Sequence, residues 1–211
     1  MTRAILICFA SSIGAAWANP ISVGVGSFSN PSATILFGGI ANNALITNQF
    51  AAQDVIFSGG LYGDTNAGDV GMFSSVGGGS VVAGNFQNQV CTTATCGPIT
   101  ATFASEVSGV GFYIITQPGT TTVAVYSGHS STATGTFTFA TNDSSPPAFF
   151  GVKDVAGIDR IVITDNAPPG GFAIDKFMIV PEASSLFGLA GLLLCGLLVR
   201  IGARRRLQSR L

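Results

Sequence analysis

Few residues in this chain have the means to do chemistry: one His, four Cys and ten acids among 211 residues. The segment Asp64-Thr65-Asn66-Ala67-Gly68-Asp69 sets oxygen-bearing side chains at alternating positions around a glycine, as calcium loops do. Asp64, Asn66 and Asp69 would be the metal ligands. The segment departs from a full EF-hand at Gly68, where a third ligand belongs, and no bidentate Glu closes the loop. The same residues also make a polar hairpin tip, the reading that turn chemistry favours. Asp175 is the second candidate. If Phe177 and Ile179 face the core, period-two spacing turns Asp175 inward too, unless a bulge intervenes. An inward carboxylate needs backbone N–H groups, a Lys or a metal.

Other polar residues do not converge on a reaction. His129 lies in Gly128-His129-Ser130, a turn sequence, and Thr132 stands where a nucleophile elbow would need glycine. No phosphate-binding loop and no zinc-protease motif is present. Asp154 and Asp159 have the chemistry of an acid–base pair on a glycosidic bond, but nothing selects them from the other acids. The expectation is therefore a protein that is not an enzyme, with no cofactor beyond a possible calcium ion. Trp17 is the only Trp, so a sugar-stacking face would have to come from Tyr62, Tyr113, Tyr126 or Phe.

These groups need a scaffold, and the sequence pattern describes one made of strands. Short alternating runs bounded by Gly, Pro, Asn and Ser occur at 99–103, 107–116, 121–127, 135–140, 149–152, 158–164 and 172–180. That cadence is typical of an antiparallel sandwich or barrel. Val110, Phe112 and Ile114 share one face of their strand, Val123 and Val125 another, and Phe137 and Phe139 oppose Thr136 and Thr138. Ile161 and Ile163 repeat the pattern, so two packed sheets are the simplest burial. In the first half, 22–28, 33–37, 54–57 and 81–86 read as strands. A short helix or turn is expected over 41–50, and a long Gly- and Asn-rich connection over 58–79.

Charge narrows the partners. Charged residues make up 9% of the chain, and the net charge is −1, yet five of the seven arginines fall within 200–211. Between Asn19 and Val180, three basic residues face nine acids, a net of −6. An acidic body does not attract a phosphate backbone, so nucleic acid is excluded as a partner.

Both ends read as addresses. Residues 1–18 carry Arg3, an apolar stretch and Ala16-Trp17-Ala18, the form of a signal peptide cleaved after Ala18. Export makes Cys91 and Cys96, with four residues between them, a disulfide-closed loop; two thiols without further ligands make a poor zinc site. At the other end, 186–199 is uncharged and apolar. Extended over 183–203 it is long enough to cross a bilayer, with Arg200 at the interface and Arg204, Arg205 and Arg206 held on the cytoplasmic side.

Val180-Pro181-Glu182-Ala183-Ser184-Ser185, followed by that apolar run and arginine cluster, resembles the PEP-CTERM sorting signal of Gram-negative bacteria. Ala183 stands where the family usually has a second Pro. The resemblance implies transient anchoring in the inner membrane, recognition by an exosortase, removal of the helix, and release to the cell surface or matrix beside exopolysaccharide. Residues 99–103, 107–114, 149–152 and 171–177 also resemble β-sandwich modules of the galactose-binding, jelly-roll type, which implies a noncatalytic adhesive or carbohydrate-binding domain. The resulting expectation is all-β: a signal peptide (1–18), an antiparallel two-sheet β-sandwich (19–180), and a sorting signal with one transmembrane helix (181–211). Its expected role is structural or adhesive. A calcium-assisted carbohydrate-binding module is the alternative, and an extracellular hydrolase a further one.

Overall fold

A computed structural model of the chain describes residues 19–87, 96–166 and 171–181. Ala16, Ala18, Cys91, the motif from Glu182 to Ser185, the apolar run and Arg200, Arg204, Arg205 and Arg206 lie outside the described residues. Among the described residues no helix is long and apolar enough to cross a membrane.

Every strand pairing is antiparallel. The strands are β1 (Ile21–Ser22), β2 (Ala33–Ile35), β3 (Leu45–Ile46), β4 (Val55–Ser58), β5 (Leu61–Asp64), β6 (Val82–Gly84), β7 (Ile99–Thr116), β8 (Gly119–Ser127), β9 (Gly135–Thr141), β10 (Ala148–Asp165) and β11 (Phe172–Pro181). Among the described residues there is one α-helix, α1 (Ala67–Phe73), between β5 and β6. The hydrogen-bonded order is β3-β5-β6-β11-β7-β10-β8-β9, with β1 on β10, β2 on β11 and β4 on β7.

This single sheet makes two layers because its two longest strands bend. The runs expected at 99–103 and 107–116 are one 18-residue strand, β7, and those at 149–152 and 158–164 are one 18-residue strand, β10. Register shifts between Lys153 and Ile158, and between Ile158 and Arg160, mark where they turn. One half of β7 carries β4 and the far half of β10; the other half carries β11 and the near half of β10. Rings then meet across the fold: Phe57 of β4 lies 5.3 Å from Phe177 of β11, and Phe139 of β9 lies 5.4 Å from Phe150 of β10. A bulge adds a residue to one strand and increases its local twist, which turns a flat sheet into facing halves.

Alternation assigned the faces as observed. Val110, Phe112, Ile114, Val123, Val125, Ile161 and Ile163 all enter the main core, with Phe137 and Phe139 packed against it. Ile115 turns to a smaller cluster with Phe73 of α1, Val82 and Ala173. Gly111 and Gly151 are paired across β7 and β10, where the rings of Phe28 and Phe149 cover them. A Cβ on Gly151 would stand 2.6 Å from the Val23 carbonyl oxygen, so the close approach requires glycine there.

In the first half the strands expected at 33–37, 54–57 and 81–86 form as Ala33–Ile35, Val55–Ser58 and Val82–Gly84, and the rest departs from expectation. Only Ile21–Ser22 of 22–28 and its flank is strand, and Val25–Phe28 is a 3-10 turn. Within 41–50 the chain makes turns, as one of the two expected alternatives had it, and adds the short strand β3, with no helix. The expected connection 58–79 contains β5, α1 and a 3-10 turn at Ser74–Val76. Gly68 and Gly71 depress helix propensity enough to hide α1 in the sequence.

Candidate functional site

The Asp64–Asp69 segment folds as a helix start, not a hairpin tip. Asn66 is the N-cap of α1: its Oδ1 accepts the Gly68 N–H at 2.8 Å, satisfying one of the donors every helix start leaves open. Asp64 Oδ1 accepts the Asn66 N–H at 2.9 Å, which fixes the approach to the cap. Of the three expected calcium ligands, the fold brings Asp64 and Asp69 together and commits the Asn66 oxygen to the helix backbone. Asp69 is pushed up to about 7 by burial, by a hydrogen bond with Asp64 and by the charge of Asp64. Burial and the neighbouring Asp64 carboxylate both disfavour the charged form of Asp69.

Asp69 forms one wall of an open cleft of about 350 Å³. Met72 of α1, Phe86, Ile115 and Phe172 supply apolar surface, and Gln117 and Asp143 stand at the mouth with Asp69. Asn85 anchors this side of the sheet: its Oδ1 accepts the Phe172 N–H at 2.7 Å, and its Nδ2 donates to the Gly97 carbonyl. Gly97 follows Cys96, which is disulfide-bonded; Cys91, the expected partner, lies outside the described residues. Apolar and polar groups line the cleft in nearly equal share, a mixture that small-ligand sites use for burial and orientation. Sequence reasoning found Asp64 and Asp69 but missed Phe86, Gln117 and Asp143, which come from three separate connections.

Asp175 is fully buried, and the bulge that the sequence left open is present. Between Asp175 and Met178 the register against β7 slips, and Lys176 adopts a left-handed φ of 50°. Ile174 and Phe177 both enter the main core, so Asp175 points to the opposite face. There it accepts the Gly79 N–H at 2.9 Å and the Lys176 N–H at 2.7 Å. Burial pushes its carboxyl up to about 6, against those two N–H groups and the Lys176 charge. Lys176 Nζ in turn donates to the Val76 carbonyl at 2.7 Å. Asp175 is thus a clamp on the Gly77–Gly79 turn, the hydrogen-bonded structural role weighed in the sequence.

At the other end of β8, His129 does have partners. Its Nδ1 lies 2.9 Å from Asp159 Oδ1 and its Nε2 lies 3.4 Å from Glu106 Oε1. Asp159 is the extra residue of the β10 bulge, since Ile158 pairs with Ser127 and Arg160 with Tyr126. That bulge turns its carboxylate out of the core and toward the His129 turn. Asp154 is not in this group; it is buried and accepts the Ala156 N–H at 2.9 Å. Asp154 and Asp159, considered together in the sequence, therefore do separate jobs.

No protein-family model matches the chain, and no curated protein does. Among solved structures it is similar to the K2 cleaved adhesin domain of Lys-gingipain, at TM-score 0.47 and 11% identity over 70% of this chain and 97% of that one. It is similar to TmCBM61, solved in complex with β-1,4-galactotriose, at TM-score 0.41 and 12% identity over 67% of this chain and 100% of that one. It is also similar to the enzymatically active domain of bacteriophage CBA120 tailspike protein 4, at TM-score 0.38 and 13% identity over 69% of this chain and 22% of that one.

Proposed function

We propose that this chain is a noncatalytic, exported β-sandwich of the jelly-roll, galactose-binding-like type that binds a neutral polysaccharide in an adhesive or structural role. The cleft at Asp69, Phe86, Gln117 and Asp143 carries this reading. Apolar surface suits the C–H faces of a hexose, while carboxylate and amide groups accept and donate to its hydroxyls. Asp143 and a body charge of −6 repel a uronate chain, which selects a neutral glycan.

Binding of neutral and uronate polysaccharides by calorimetry tests this. Gln117 and Asp143 are exposed, so Q117A/D143A should stay folded and bind a neutral glycan about tenfold more weakly. Unchanged affinity in that variant, or no glycan bound by the wild type, would remove the cleft reading.

One observation favours a second reading. A carboxyl raised to about 7 in a cleft beside another acid is the equipment of a glycosidase. Its proton, however, is held by Asp64, which fits a binding edge better than an acid aimed at a leaving group. Release of reducing ends from the bound glycan, lost in D69N, would establish the hydrolase.

The address is also part of the proposal. The sorting motif from Val180 to Ser185 would begin within the last two residues of β11, whose Pro181 carbonyl accepts the Ser108 hydroxyl at 2.7 Å. An exosortase would then remove the helix after transient anchoring in the inner membrane. Intact-mass measurement of surface-released protein should show residues 186–211 missing, and a full-length C-terminus would refute it.

A further inference from the structure

We infer that Glu106, His129 and Asp159 form a binding site for a divalent first-row cation of the zinc type, separate from the cleft. The three residues come from three elements that meet where the sheet bends. Glu106 lies in β7, His129 in the turn after β8, and Asp159 at the bulge of β10. One ligand atom from each lies within 4.8 Å of the others.

The donor set and spacing both suit such an ion. Two ligands at the tetrahedral angle on zinc, each at about 2.0–2.1 Å, lie about 3.4 Å apart, within about half an ångström of the pair seen here. His129 Nδ1 and Asp159 Oδ1 already stand 2.9 Å apart. Glu106 Oε1 stands 3.4 Å from the ring's other nitrogen, Nε2, at 24% exposure, and would have to rotate to join the same ion. One imidazole with two carboxylates favours zinc over calcium, which prefers oxygen throughout.

The support around the ligands is built, not incidental. The Asp159 carboxylate accepts the backbone N–H of His129 through its second oxygen, holding ring and carboxylate in one frame. His129 has a left-handed φ of 58° and Gly128 one of 61°. The Gly128 N–H donates to the Gly157 carbonyl at 3.0 Å, tying this turn to the β10 bend. Gly157 has a φ of 79°, and a Cβ there would stand 2.8 Å from Glu106 Oε2. Glycine at this position is what lets Glu106 lie over the bend. His129 itself is 84% exposed, so an ion enters from solvent and keeps open positions there.

Titration of untagged, chelator-treated protein with zinc chloride provides the test. Calorimetry should show one ion per chain, and saturating zinc should raise Tm by several degrees. H129A, a change at an exposed turn, should keep the metal-free Tm and lose both effects; E106Q should weaken binding about tenfold or more. Zinc that still binds H129A is held elsewhere and overturns the assignment. So does the absence of any saturating site, or a preference for calcium that survives H129A. Glycan binding is measured separately on Q117A/D143A, so failure of either proposal leaves the other standing.

Discussion

Phe177→Ala should cost about 3–5 kcal/mol of unfolding free energy, the range for emptying a large aromatic site in a packed core. Phe177 is fully buried. Its ring lies 5.7 Å from Phe112 in a parallel stack, 5.3 Å from Phe57 edge-on and 6.4 Å from Phe103. Those partners belong to β7 and β4, so one side chain ties β11 to both halves of the bent sheet. Each such ring pair contributes about 0.5–1.5 kcal/mol beyond area burial. Against a typical total of about 5–15 kcal/mol for a domain, that is between about a fifth and all of the stability. F177L, which leaves less empty volume, should lose less. Ile56, next to Phe57 but facing outward at 44% exposure, is the control: I56A should change stability by about 0.5 kcal/mol or less. Urea midpoints at unchanged m-value would report this. A loss in F177A no larger than in I56A would mean that the layers are not joined through this ring.

The second half of the fold was legible because its strands obey one rule each. Thr136, Phe137, Thr138 and Phe139 alternate without interruption, and β9 forms as that pattern requires. The first half was legible only in part, at 33–37, 54–57 and 81–86, because its strands are two to four residues long and take their stability from neighbours. Leu45 and Ile46 form a strand only because Leu61 and Tyr62 lie opposite them. No period can be read from two residues. The joining of 99–103 to 107–116 was hidden for a related reason. The core positions change parity between Val107 and Val110, so the sequence shows two patterns where the chain runs on as one bent strand.

The same parity argument explains the sites. Asp175 was recognisable because it shares parity with Phe177 and Ile179, and a bulge resolves the conflict. Asp159 has the same relation to Ile161 and Ile163, and it too lies at a bulge. An acid in core register is thus a sequence signal for a bulge that re-aims a carboxylate, and it was applied to only one of the two. Had it been applied to Asp159, His129 would still have needed the fold. Thirty positions separate them in sequence, and only the β8–β10 pairing sets Ser127 opposite Ile158. The cleft lay further out of reach, since Phe86, Gln117 and Asp143 sit in connections that carry no pattern.

Through Asp175 alone, stability should fall by about 3 kcal/mol as pH rises from about 4 to about 7, and Asp175→Asn should remove that fall. The folded state holds the Asp175 proton up to about 6, against an ordinary value of 3.8, because burial penalises the charged form. Between those two values the native state binds more protons than the unfolded chain, so the stability gained is present below about 4 and lost through about 6. At about 1.4 kcal/mol per unit the difference is about 3 kcal/mol. Asp69, pushed up to about 7, slopes the same way in an overlapping window, and its part persists in D175N. The informative quantity is therefore the gap between the two curves. It should narrow or reverse in favour of D175N as pH rises. An amide keeps one oxygen for the Gly79 N–H but turns a donor toward its neighbour, so D175N should start below the wild type at pH 4. Above pH 6, where the wild type carries a buried charge beside Gly78 and Gly79, the amide's handicap shrinks. Urea midpoints at pH 4, 5, 6 and 7 would show this, and parallel curves would mean that Asp175 keeps the same protonation folded and unfolded. Hydrogen exchange at the Gly79 amide gives an independent reading, because the clamp holds that N–H directly. Its protection should change between pH 5 and 7 in the wild type and stay level in D175N.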